Sequence, residues 1–113
     1  MTPSVTQRPG ARLDLLQQFI YFAEQGGLDL AERYYASVDA TCALLLKFPR
    51  SGVRYPASAG GIPELRRVPV TGFEHLLIFY THHRGGIDVV RVLHAARDID
   101  NLLADEDPSA LSS

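Results

Sequence analysis

The residues best suited to chemistry gather late in the chain. Arg66 and Arg67 open one apolar segment, and Arg91, His94 and Arg97 lie along and just beyond a later one. Arginine supplies fixed positive charge and a planar fork that grips phosphate or carboxylate through two parallel bonds. Histidine exchanges a proton near neutral pH. Together Arg91 and His94 suit a phosphate or carboxylate site. Arg66, Arg67, Arg97 and Tyr80 are candidate phosphate- or partner-binding groups, and the Tyr80 hydroxyl could also donate a proton. A plainer reading competes for the same residues: Arg91 or Arg97 paired with Asp88 or Asp98, and Tyr80 packed within a sheet. Spacing alone favours the plainer reading.

Other chemistries have little support in the sequence. There is no glycine-rich phosphate loop, no metal-ligand spacing and no nucleophile elbow. His82 and His83 are adjacent, so in a strand they point to opposite faces and do not readily share one metal. No metal site and no cofactor is expected. Cys42 is the single cysteine, which excludes an intramolecular disulfide, and its apolar helical surroundings predict a small buried hydrophobe. The stretch Met1 to Arg12 lacks the apolar run of a signal peptide, and no segment approaches the roughly 20 apolar residues of a membrane span. A cytoplasmic protein with no membrane partner is expected.

The 113 residues fit one domain, with 46% hydrophobic and 21% charged residues, as in an ordinary folded chain. A net charge of −2 gives no global argument for nucleic-acid binding. Of the 11 basic residues all but Lys47 are arginine, which fits either recognition of anions or a codon bias.

The elements that must position these residues follow from periodicity. A short strand is predicted over Ser4 to Arg8, and Pro9-Gly10 then punctuates the chain. Ala11 to Gln25 has helical period, with a stripe of Leu13, Leu16, Ile20 and Ala23 flanked by Phe19 and Phe22. Gly26-Gly27 ends that helix, and Asp29 with Glu32 resembles a capping box for the next. The second stripe is Ala31, Tyr34, Val38, Cys42 and Leu45, and Pro49 stops the helix near Phe48. The two helices read as an antiparallel hairpin. Arg50 to Pro63 reads as a long surface loop. Beyond it the period changes to two. Strands are predicted over Glu64 to Val70, His75 to Thr81 and Ile87 to His94, joined by turns at Thr71-Gly72-Phe73 and Arg84-Gly85-Gly86. Pro69 argues against a central strand at that point. A short helix is predicted over Asp98 to Ala104, with a frayed acidic and polar tail over 105–113. The fold class is thus α+β: an N-terminal strand and an antiparallel helical hairpin packed on an antiparallel sheet, whose C-terminal part is a three-stranded meander. One domain spans 1–104.

The stretches Gly72-Phe73-Glu74-His75-Leu76-Leu77-Ile78-Phe79-Tyr80 and Val89-Val90-Arg91-Val92-Leu93-His94-Ala95-Ala96-Arg97-Asp98-Ile99 resemble the RelE/ParE toxin superfamily, and the second resembles its ParE-like branch. Leu46-Lys47-Phe48-Pro49-Arg50-Ser51-Gly52 is similar to the junction that follows the family's second helix. The resemblance covers roughly Val5 to Leu103. It implies the toxin of a type II toxin–antitoxin system, neutralised by a cognate antitoxin that often carries a ribbon–helix–helix or similar DNA-binding domain. In the ParE-like branch it implies a poison of DNA gyrase that acts by binding. In the RelE-like branch it implies a ribosome-dependent mRNA endonuclease, for which Arg91 and His94 would be catalytic and Arg66 or Arg67 the phosphate clamp. Ala95 after His94, and the lack of any lysine past Lys47, depart from the endonuclease pattern and favour the gyrase branch. A third reading is a degenerate, non-toxic member that serves only as a binding module.

Overall fold

The structure, a computed structural model, describes residues 2–56 and 61–106. In chain order the elements are β1 (Ser4–Gln7), α1 (Pro9–Lys47), β2 (Val53–Arg54), β3 (Arg66–Val70), β4 (Phe73–His83), β5 (Gly86–His94) and α2 (Ile99–Ala104).

Pro9 does not delay the helix. It occupies the first turn, where its fixed φ suits the helix and its missing N–H has no partner to lose. The helical run is broken at Gly27, whose φ of 86° and ψ of 173° fall in a region essentially reserved for glycine. Leu28 and Asp29 are already helical again, so Asp29 is not the cap the sequence predicts. Across the break the halves fold back on one another. Phe19 lies 4.5 Å from Tyr35 and Phe22 lies 4.9 Å from Tyr34, ring centroid to ring centroid. In a straight helix residues 12 apart would be separated by about 18 Å.

The five strands form one sheet in the order β1-β5-β4-β3-β2. The meander β3-β4-β5 is antiparallel throughout, as the turns predict. The sheet as a whole is mixed rather than antiparallel, because β1 pairs parallel with β5, Ser4 opposite Gly86 through Gln7 opposite Val89. The helical run between β1 and the meander allows a parallel return, which a short turn could not. A second correction concerns the expected loop from Arg50 to Pro63, which contains β2, a two-residue edge strand with Val53 opposite Arg67 and Arg54 opposite Arg66. Pro69 is compatible with β3 because β2 covers only Arg66 and Arg67, so β3 is effectively an edge at Pro69, beside a register shift.

One core lies between α1 and the sheet, built on Leu15, Tyr34, Val38, Cys42, Leu45, Ile78, Tyr80, Val89 and Val92. The opposite face buries Phe79, Val90 and Leu93 under Ile62, Leu65, Ile99 and Leu103. The second stripe of α1 is buried as predicted. The first is not: Leu13, Leu16 and Ile20 are about half exposed, and the buried positions are Ala11, Asp14 and Leu15. The reason is that the first half of α1 turns a partly polar face to the sheet.

Candidate functional site

β1 ends opposite Val89, so among the described residues no strand lies beside the outer edge of β5 beyond that residue. An uncovered strand edge exposes backbone groups that need partners. Side chains of α1 supply them. The Asp14 carboxylate accepts the Val92 N–H at 3.0 Å, and Gln18 Nε2 donates to the Val92 carbonyl at 2.8 Å. Asp14 also takes Arg91 in a two-pronged bond, Nε to Oδ2 at 2.7 Å and Nη2 to Oδ1 at 2.9 Å. Tyr34 in the second half of α1 donates to Gln18 and holds it in place. A register shift between Phe79 and Tyr80 lets Arg91 turn toward α1.

Between this edge and the near ends of β4 and β5 opens a cleft of about 750 Å³. Asp14, Gln17, Gln18, Tyr21 and Phe22 line it from α1, Phe73 and His75 from β4, and Arg91, His94 and Arg97 from β5 and the turn after it. His75 and His94 stack in parallel, 5.8 Å between centroids and 7° between planes. The Ala96 N–H donates to His94 Nδ1 at 3.1 Å, which leaves Nε2 to carry the proton of the neutral ring. Arg91 meets a second carboxylate, Glu106 just past α2, at 3.6 Å. Its guanidinium pKa is raised, chiefly by the bond to Asp14. Burial pushes the Glu106 carboxyl up, and Arg91 opposes that shift.

The cleft thus brings together Arg91, His94 and Arg97 of the residues singled out in the sequence. It does not include Arg66, Arg67 or Tyr80, which sit nearer the other end of the sheet. Arg91 is ion-paired, but with Asp14 and Glu106 rather than Asp88 or Asp98; the carboxylate of Asp88 is taken by Arg8 at 2.9 Å. Tyr80 is fully buried, and its hydroxyl donates to the Pro49 carbonyl at 2.9 Å and accepts the Gly52 N–H at 3.0 Å. Burial pushes this phenol up. It pins the connection between α1 and β2. Tyr80→Phe is expected to cost about 1–2 kcal/mol, since it strands the buried Gly52 N–H and takes the donor from the part-buried Pro49 carbonyl. Urea unfolding checks this, and an unchanged midpoint would refute the pinning role. His83 accepts the Gly85 N–H at the hairpin, and no group of three or more metal-binding side chains occurs among the described residues.

Asp14, Gln18, His75 and Glu106 escape the sequence reading. A signal for the first two was present: Ala11, Leu15, Gln18 and Phe22 also share a helical face, and Asp14 adjoins it. The more hydrophobic stripe of Leu13, Leu16 and Ile20 drew attention from it. Of the expected tail, residues 107–113 lie outside the described residues, whereas Glu106 folds back onto Arg91.

No helix among the described residues is long and apolar enough to cross a membrane. No curated protein matches the chain at a significant level. The fold is similar to a chain of the chromosomal ParDE toxin–antitoxin system from P. aeruginosa, with a TM-score of 0.65 and 14% identity over 82% of this chain and 96% of that one. The family model for the ParE toxin of the type II toxin–antitoxin system parDE matches residues 5–99. The meander, the helical run that folds back over it and the match across nearly all its elements lead to one conclusion: this chain belongs to the ParE toxin family of type II toxin–antitoxin systems.

Proposed function

We propose that this toxin poisons DNA gyrase by binding it and that a cognate antitoxin silences it by covering the outer side of α1. The observation that carries the binding reading is the engagement of Arg91. A phosphate-stabilising arginine must offer its fork to the substrate, and here Asp14 takes two of its donors while Glu106 lies beside a third nitrogen. That leaves His94 and Arg97 as the cleft's available cationic or basic groups from the sequence reading, without a lysine or a Tyr at the position after His94. The antitoxin reading rests on Leu13, Leu16, Ile20 and Tyr21, which are about half exposed on successive turns of one helix. Such a stripe at the surface of a small domain suits a partner's apolar side chains.

Gyrase supercoiling and cell-free translation measured side by side test the target. The expected result is blocked supercoiling with cleaved DNA accumulating, normal translation, and full retention of the effect in His94→Ala. Inhibited translation with normal supercoiling, abolished by His94→Ala, would overturn the proposal in favour of the mRNA endonuclease.

A further inference from the structure

We infer that the corner of the sheet where α1 hands over to β2 binds the sugar–phosphate backbone of a nucleic acid. Residues 40–63 contain no carboxylate but carry Lys47, Arg50 and Arg54. Pairing of β2 with β3 adds Arg66, opposite Arg54, whereas Arg67, opposite Val53, turns to the other face, where its guanidinium lies over the Tyr55 ring. The ion pairs among the described residues are Arg8 with Asp88 and Arg91 with Asp14 and Glu106, so none of Lys47, Arg50, Arg54 and Arg66 is neutralised by one. In a chain of net charge −2 this gathers positive charge on one face of the corner, while the carboxylate of Asp100, which accepts the Tyr55 hydroxyl at 2.6 Å, lies on the other.

The corner is built rather than loose. Arg66 Nη1 donates to the Gly52 carbonyl at 2.7 Å and to the Arg50 carbonyl at 3.2 Å, which fixes the path of the connection. Lys47, Arg50 and Arg54 are exposed. Phe48, between Lys47 and Arg50, is 60% exposed, although a ring of that size is normally covered. Cations around an accessible ring are what a nucleic acid uses, phosphates against the arginines and an unpaired base on the ring. An acidic peptide is the rival occupant. Strand addition would be its strongest mode, but β2 has only two residues between Pro49 and Pro56, and proline offers no N–H. Recognition here must run through side chains, and Phe48 then has a role only for a ligand with a flat face.

This inference goes beyond the gyrase reading. A poison of a DNA-bound enzyme has reason to touch the DNA, yet the site requires no gyrase, so the two stand or fall separately. The test is fluorescence anisotropy of the purified chain with a labelled single-stranded oligonucleotide of about 12 residues, titrated at several salt concentrations. Binding is expected to weaken with salt with a log–log slope of about −3, as for four neutralised phosphates on a single strand. Arg54→Ala should flatten the slope by about 0.7. The pair Arg50→Glu with Arg54→Glu should weaken binding at least about tenfold, as two contacts become repulsive. Phe48→Ala should weaken it at least about fivefold at unchanged slope. Arg33→Ala, on an exposed turn of α1 about 20 Å from Lys47, should change nothing. Circular dichroism confirms that each variant is folded. Absence of binding, or binding indifferent to the charge reversals, overturns the inference. So does a glutamate-rich peptide of equal charge that binds as tightly while Phe48→Ala is silent, because the corner would then be a peptide site.

Discussion

Asp14→Ala is expected to destabilise the protein by about 3 kcal/mol, because removing one partner of a buried ion pair leaves the other charge uncompensated. For a domain of this size that corresponds to a fall in Tm of roughly 12 °C. The cost has two parts that can be separated. Arg91 loses both prongs of its bond, and the Val92 N–H loses its acceptor at an edge that no strand among the described residues covers. Arg91→Met removes the charge but leaves Asp14 with the Val92 N–H. Combining the two substitutions should therefore cost less than their sum, with a coupling of about 1–3 kcal/mol in a double-mutant cycle. The double variant should still be less stable than wild type, since the Val92 N–H remains without its acceptor. The second part has a distinct signature: with Asp14 gone the edge of β5 is open, and Asp14→Ala should aggregate more readily than Arg91→Met at equal stability. Urea midpoints and light scattering read the two effects. Additive single losses would show that Asp14 and Arg91 are not coupled, and equal aggregation would show that Asp14 is only a counter-charge and not a cap for the strand.

That dual role explains why part of the site was hidden in the sequence. The meander was legible because nearly every signal there is local. His75 to Thr81 is a continuous apolar run, Gly85-Gly86 marks a hairpin, and Ile87 to His94 follows as the third strand. The break in α1 was legible for the same reason, since Gly26-Gly27 interrupts two helical stripes. What failed to show depends on contacts between residues more than 70 positions apart. A helix is read by its most hydrophobic face, which predicts Leu13, Leu16 and Ile20 as core. The sheet edge at Val92 instead asks for an acceptor and a donor, and Asp14 and Gln18 turn the helix so that the apolar stripe faces outward. Ion pairing of Arg91 was readable from composition, but its partner was not, because nothing near Arg91 in sequence indicates that position 14 lies beside it. The parallel seat of β1 was equally invisible, since a four-residue strand of alternating burial fits either direction.

The seat of β1 carries the other large prediction. Gly86→Ala should cost about 4 kcal/mol, in the range reserved for backbone strain combined with loss of a buried network. Gly86 has a φ of 132°, a conformation that alanine adopts only with strain, and a Cβ there would fall on the backbone of Ser4, its partner in β1. The first strand would have to move away. Its departure matters because Asp88 is almost fully buried, and its side-chain partners come from β1 and the residue after it: Thr6 Oγ1 at 2.9 Å and Arg8 Nε at 2.9 Å. Displacing β1 would thus strand a carboxylate in the core, a cost larger than that of the few ladder bonds themselves. Gly85→Ala is the matched control one residue earlier. A Cβ there meets only the exposed His83 ring, at 3.1 Å to its nearest carbon, and that ring can swing aside, so the loss should stay below about 1 kcal/mol. If the stranded carboxylate is the main cost, adding Asp88→Asn to Gly86→Ala should recover part of the stability, while Asp88→Asn alone should be destabilising because it breaks the buried ion pair with Arg8. Equal losses for the two glycines would argue that the turn, and not the strand beside it, sets the cost. A failure of Asp88→Asn to recover anything would place the cost in the strained backbone alone.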